Sequence, residues 1–100
     1  MRLRIEFRPE AEAEAYRSFD WYEEREPGLG ARFRDAVEEV IAAIASRPNS
    51  FPIIDDTIFR RAVLDKFPFV IIYALEDNTL VIASIFHTSR KPPIWQDRIG

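Results

Sequence analysis

The run Phe69-Val70-Ile71-Ile72-Tyr73-Ala74-Leu75 constrains this chain more than any other stretch. It is apolar at odd and even positions alike, so it reads as a central strand that must be covered on at least one side by other elements. Glu76-Asp77-Asn78-Thr79 supplies a turn, and Leu80 to Phe86 reads as the next strand of a hairpin. The cover has to come from upstream. Leu29, Phe33, Val37, Val40, Ile41 and Ile44 recur at helical spacing and form one wide apolar stripe. Before them, residues 9–26 are rich in Ala and Glu, good helix formers, with Ala11, Ala15, Phe19 and Tyr22 on one face. Pro27-Gly28 separates the two segments and Pro48 ends the second, which predicts an antiparallel helical hairpin.

Two further strands complete the pattern. Leu3-Arg4-Ile5-Glu6-Phe7 alternates apolar and polar, the period of a half-buried strand, and residues 58–64 alternate around Arg60 and Arg61. The order is therefore strand, helix, helix, strand, strand, strand. The second stripe is too wide to be buried by the first helix alone, so both helices are expected on one face of the sheet. The expected fold is α+β: an N-terminal strand, then a helical hairpin packed on one face of a mainly antiparallel, twisted sheet of about four strands. The opposite sheet face is expected to stay open to a partner. The pattern leaves the partner of the first strand open.

Composition narrows the chemistry. One hundred residues suit one domain, 1–100. With no Cys there is neither a disulfide scaffold nor a thiolate zinc site, which fits a reducing cytoplasm. A single His excludes a histidine-based metal centre, and no metal or other cofactor is expected. Gly occurs only at 28, 30 and 100, so no glycine-rich phosphate loop exists. No apolar run approaches the ~20 residues of a membrane span. The net charge is −3, unlike that of a protein that coats nucleic acid. Residues 9–45 hold ten acids and four bases, a balance of −6, whereas residues 51–100 hold six of each.

His87 is the only side chain whose ordinary pKa lies near neutrality, and it stands where the last strand ends, just before Arg90 and Lys91. That trio has the groups to protonate a leaving oxygen and hold a phosphate; the plainer reading, which a lone strand-end imidazole favours, is that it bonds the backbone and closes the strand. Arg60 and Arg61 are adjacent on one strand and point to opposite faces, so one faces the helices and the other the far side. Lys66 lies in a turn before Phe67-Pro68. Trp95, after Pro92-Pro93, reads as an anchor for the tail that carries Arg98. Phe19 and Tyr22 read as core; Trp21 falls off that face and reads as exposed.

The same chain order and a set of local strings resemble the RelE/ParE toxins of type II toxin–antitoxin operons. The strings are Pro27-Gly28-Leu29-Gly30-Ala31-Arg32-Phe33, Pro48 with Phe51-Pro52, and Arg60-Arg61. They continue with Phe67-Pro68-Phe69-Val70-Ile71-Ile72-Tyr73 and His87-Thr88-Ser89-Arg90-Lys91-Pro92, then Trp95 and Arg98. The resemblance implies a growth-inhibiting toxin neutralised by a cognate antitoxin, in a heterodimer or heterotetramer. Its branches imply two modes of action. RelE-like members cut mRNA, often on the ribosome, through the ribose 2′-hydroxyl; here that implies His87, Arg61 and Arg90 as catalytic residues. ParE-like members bind DNA gyrase, which implies Arg60, Lys66, Lys91, Trp95 and Arg98 as target- or antitoxin-binding residues. No Tyr follows position 73, and no Glu lies between Glu39 and Glu76, where nuclease members place catalytic groups. Together with the acidic balance, these departures favour a ParE-like or catalytically unassigned member.

Overall fold

The computed structural model describes residues 3–89. Strand β1 (Arg4–Phe7) is followed by helices α1 (Pro9–Arg25) and α2 (Leu29–Ser46), then strands β2 (Phe59–Val63), β3 (Phe69–Glu76) and β4 (Thr79–His87). They form one sheet of order β1-β4-β3-β2. β1 runs parallel to β4, and the other pairings are antiparallel. This supplies the partner that the sequence pattern left open. The helical hairpin is the crossover between β1 and the three-stranded meander.

Pro9 opens α1, where its missing N–H costs nothing, and Glu10 and Glu12 lie in the first turn, where the helix dipole favours acids. The bend into α2 depends on two glycines. Gly28 adopts φ +91°, a conformation other L-residues resist. A Cβ at Gly30 would stand 2.8 Å from the Phe19 carbonyl oxygen, so only glycine lets the helices approach this closely. Glu23 of α1 then accepts the N–H groups of Gly28 (3.0 Å) and Gly30 (3.0 Å). A carboxylate from one helix thus satisfies the orphan donors at the start of the next.

The main core lies between hairpin and sheet. Phe33, Val37, Ile41 and Ile44 of α2 meet Ala62, Phe69, Ile71, Tyr73, Leu80, Ile82 and Ile85 of the sheet. Complete burial of a side chain such as Phe33 or Ile71 contributes roughly 1.5–3 kcal/mol. As its spacing predicts, Trp21 is off this face and exposed, with the Arg25 guanidinium 3.4 Å from its ring centroid.

Two expectations need correction. The far face of the sheet is not open: Phe59, Val70, Ile72, Ala74 and Ala83 are buried in a second cluster, with Ile54 and Phe86 packed against it. One reason is that the segment after α2 does not merely connect. It folds back along β2, with Ile54 N–H donating to the Phe59 carbonyl (2.8 Å) and Arg61 N–H to the Pro52 carbonyl (3.0 Å). Ile53 bridges to Arg60, and Ile54 is thereby carried against the far-face cluster. The second correction concerns β1, whose alternation suggested half-burial. All four of its residues are exposed, Ile5 by 47% and Phe7 by 37%, because β1 is an edge strand.

Candidate functional site

The end of β4 and the flank of α1 enclose a groove of about 720 Å³. Trp21, Tyr22, Phe69 and Phe86 form its apolar walls, and Glu14, Arg17, Asp20, Glu24, His87 and Ser89 bring polar groups to it. His87 lies opposite Phe69 in the β3–β4 ladder, and their rings meet edge to face with centroids 5.2 Å apart. Phe69 in turn touches Phe33 and Tyr22, and Phe67 closes the same aromatic group. The imidazole is therefore the outer member of an aromatic stack that begins in the core.

Its orientation is fixed by the residues just after it. The Ser89 backbone N–H donates to His87 Nδ1 (3.1 Å), and the Ser89 hydroxyl lies 2.7 Å from the same nitrogen. Because Nδ1 accepts that N–H, the neutral ring carries its proton on Nε2. The turn that makes these bonds is tied to the β2–β3 connection by Thr88, whose N–H donates to the Pro68 carbonyl (2.8 Å).

The remaining sequence candidates do not gather around this ring. Arg61 pairs with Ile72, a member of the far-face cluster, whereas His87 shares the helix side with Phe69. Two strand spacings and three residue rises also separate them, roughly 14 Å between Cα positions. Arg61 is exposed, as is Lys66 in the β2–β3 turn. Arg60 points to the helix side and is occupied internally: its guanidinium donates to the Phe51 carbonyl (2.6 Å) and the Asn49 carbonyl (3.2 Å). Beside it the Tyr73 hydroxyl donates to the Pro48 carbonyl (2.7 Å). Burial pushes the Tyr73 phenol above its ordinary pKa, while the nearby Arg60 charge pulls it down. Arg90, Lys91, Trp95 and Arg98 lie outside the described residues. No group of His, Asp and Glu suited to holding a metal occurs among the described residues.

Glu14 is the residue that sequence reasoning missed. It follows Ala11 by three positions, so it falls on the buried face of α1. Its carboxylate accepts the Ser84 hydroxyl (3.0 Å) and the Ile85 backbone N–H (3.0 Å). The Ala11/Ala15 spacing carried that signal, hidden in what looked like an ordinary run of solvated acids.

A second, more apolar groove of about 420 Å³ is shared by α1, α2 and the end of β1. Phe7, Ala15, Tyr16, Phe19, Val37 and Ile41 line it, and Glu12, Asp20, Glu38 and Arg34 rim it. Tyr16 is 65% exposed there.

Residues 5–92 match the family model of the ParE toxin of the type II toxin–antitoxin system, parDE. The chain belongs to the ParE toxin family. A solved structure described as "Chromosomal ParDE TA system from P. aeruginosa" superposes with a TM-score of 0.76, covering 87% of this chain and 97% of the other at 14% identity. That likeness shows a shared fold. No curated protein matches the chain. As a ParE family member, the protein carries the strand–hairpin–meander order over nearly all of the matched region. None of its helices among the described residues is long and apolar enough to cross a membrane.

Proposed function

We propose that this ParE family toxin acts by binding a macromolecular target, DNA gyrase, and that a cognate antitoxin neutralises it. The observation that carries this reading is the separation of His87 from Arg61. RNA cleavage through the 2′-hydroxyl needs an acid and a charge clamp on one scissile phosphate. Among the described residues, which do not include Arg90, the two side chains stand on opposite faces of the sheet. Arg60, the other strand arginine, is engaged by backbone carbonyls. What the structure offers instead are surfaces: the groove beside His87 and the apolar furrow on the hairpin.

The antitoxin is assigned to that furrow. Its apolar floor and largely acidic rim suit an amphipathic helix with basic flanks. The −6 balance of residues 9–45 adds long-range attraction for such a segment.

Purified toxin at micromolar concentration is expected to inhibit gyrase supercoiling, and His87→Gln is expected to leave growth arrest intact. Absence of inhibition overturns the gyrase assignment. Loss of both growth arrest and mRNA cleavage in a folded His87→Gln variant returns the protein to the nuclease reading. A chain that arrests no growth when produced without antitoxin is a binding module that has lost toxicity.

A further inference from the structure

We propose that the free toxin pairs with a second copy of itself through β1, joining two four-stranded sheets into one of eight strands. The argument begins with backbone direction. Arg4 N–H donates to the Asn78 carbonyl and Arg8 N–H to the Ile82 carbonyl, so the even-numbered residues of β1 address β4. By strand alternation, Leu3, Ile5 and Phe7 turn their N–H and C=O groups outward. No described residue pairs with that outer edge. A row of unpaired donors and acceptors beside exposed Ile5 and Phe7 is a template for another strand.

Charge then selects both occupant and register. A two-fold axis requires antiparallel pairing, and the outward groups meet only if odd residues face odd ones. Centring the pair on Ile5 places Ile5 against Ile5 and Leu3 against Phe7 of the other copy. Arg4 then faces Glu6, twice over. Centring it on Arg4 opposes two arginines, and centring it on Glu6 opposes two glutamates while Arg4 meets Arg8. Among the described residues, the Ile5-centred register is the one that sets opposite charges across the seam while pairing the apolar residues with one another. Glu6 already gives one carboxylate oxygen to Arg8 (3.1 Å), which leaves the other for the partner's arginine.

The helices permit this approach. The Ile5 and Phe7 side chains lie on the helix side, since they pair with Leu80 and Ile82 of the main core. The axis is normal to the sheet, so both hairpins stand on the same side. α1 packs on β4 through Glu14. The two α1 helices are therefore about three strand spacings apart, ~14 Å, more than the ~10–12 Å diameter of a helix. Exposed Ile5, Phe7 and Tyr16 are available to fill the space between them.

The test is sedimentation of the full chain, free of antitoxin, over a concentration series. The expected result is a monomer–dimer equilibrium. Arg4→Glu turns two attractive pairs into two repulsive ones and should raise the dissociation constant roughly tenfold. Adding Glu6→Arg restores opposite charges across the seam and should bring the constant back to within about threefold of the parent. Misfolding cannot mimic that rescue. In the parent, amide exchange at Ile5 and Phe7 should slow as concentration rises. A monomer at every concentration overturns the proposal, as does a dimer indifferent to Arg4→Glu. So does a double variant that stays dissociated, or a β1 edge that accepts a strand only from added antitoxin.

Discussion

The two edges of the sheet are finished in opposite ways. At β2 the chain returns on itself: Pro52 to Ile54 pair along the strand, Arg60 holds the carbonyls of Asn49 and Phe51, and Tyr73 holds that of Pro48. At β1 no described residue lies beyond the strand, and every side chain is exposed. Where β1 ends, Glu14 takes over and accepts the next outward N–H of β4, that of Ile85. Backbone polar groups need partners, and this molecule satisfies them internally on one side while leaving the other for an incoming strand. The covered edge is thus architecture and the bare edge is a place to bind.

If that contrast is right, variants at the covered positions should cost stability and those at the bare edge should not. The largest effect is expected at Glu14. Glu14→Ala strands the Ile85 N–H and the hydroxyl of fully buried Ser84, a loss of about 2–3 kcal/mol. Glu14→Gln keeps an accepting oxygen and should recover more than half of it in urea denaturation. Equal losses in the two variants would mean that charge, not edge closure, is what matters. Arg60→Ala comes next, at about 2 kcal/mol, because charged donors to two carbonyls are removed together. Faster amide exchange at Ile54 and Arg61, ahead of global unfolding, should accompany it.

These residues also show what the sequence made legible. All six elements could be read from it because each has a distinct period: 3.6 in Leu29–Ile44, 2 in Leu3–Phe7, and none in Phe69–Leu75, whose two faces are both buried. The bend was marked by Gly28 and Gly30, whose backbone demands no other residue meets. Burial of the far face was not legible, since residues 48–57 show no strand period. Their pairing with β2 uses backbone groups, which every sequence has. For the same reason Arg60 looked available for a ligand: its partners are carbonyls and leave no trace in the sequence. Glu14 was one acid among several until three-dimensional contact separated it from the rest. His87 was placed correctly at its strand end, yet its distance from Arg61 depended on which face each strand presents.

Tyr73 tests the covered edge through pH. Tyr73→Phe should cost about 1 kcal/mol, the usual net worth of a hydrogen bond whose acceptor lies partly buried. The phenol's pKa is raised on folding, mainly by burial. Its contribution is therefore complete below the unfolded value near 10 and is lost as pH rises toward the folded value. Stability measured from neutral pH into the alkaline range should fall less steeply in Tyr73→Phe than in the parent. Parallel curves would show that folding does not raise the Tyr73 pKa, and that its burial is relieved in solution.

The smallest effect belongs at the bare edge. Glu6→Gln removes the Arg8 ion pair, whose members are 49% and 36% exposed. A pair so open to water gains little from Coulomb attraction, since solvent and salt screen it and two long side chains must be held in place. At concentrations low enough to keep the toxin monomeric, the urea midpoint should shift by less than about 0.5 kcal/mol. Salt should erase even that. A loss as large as that of Arg60→Ala would mean that β1 is tied into the monomer as firmly as β2, and the distinction between a finished edge and a waiting one would fail.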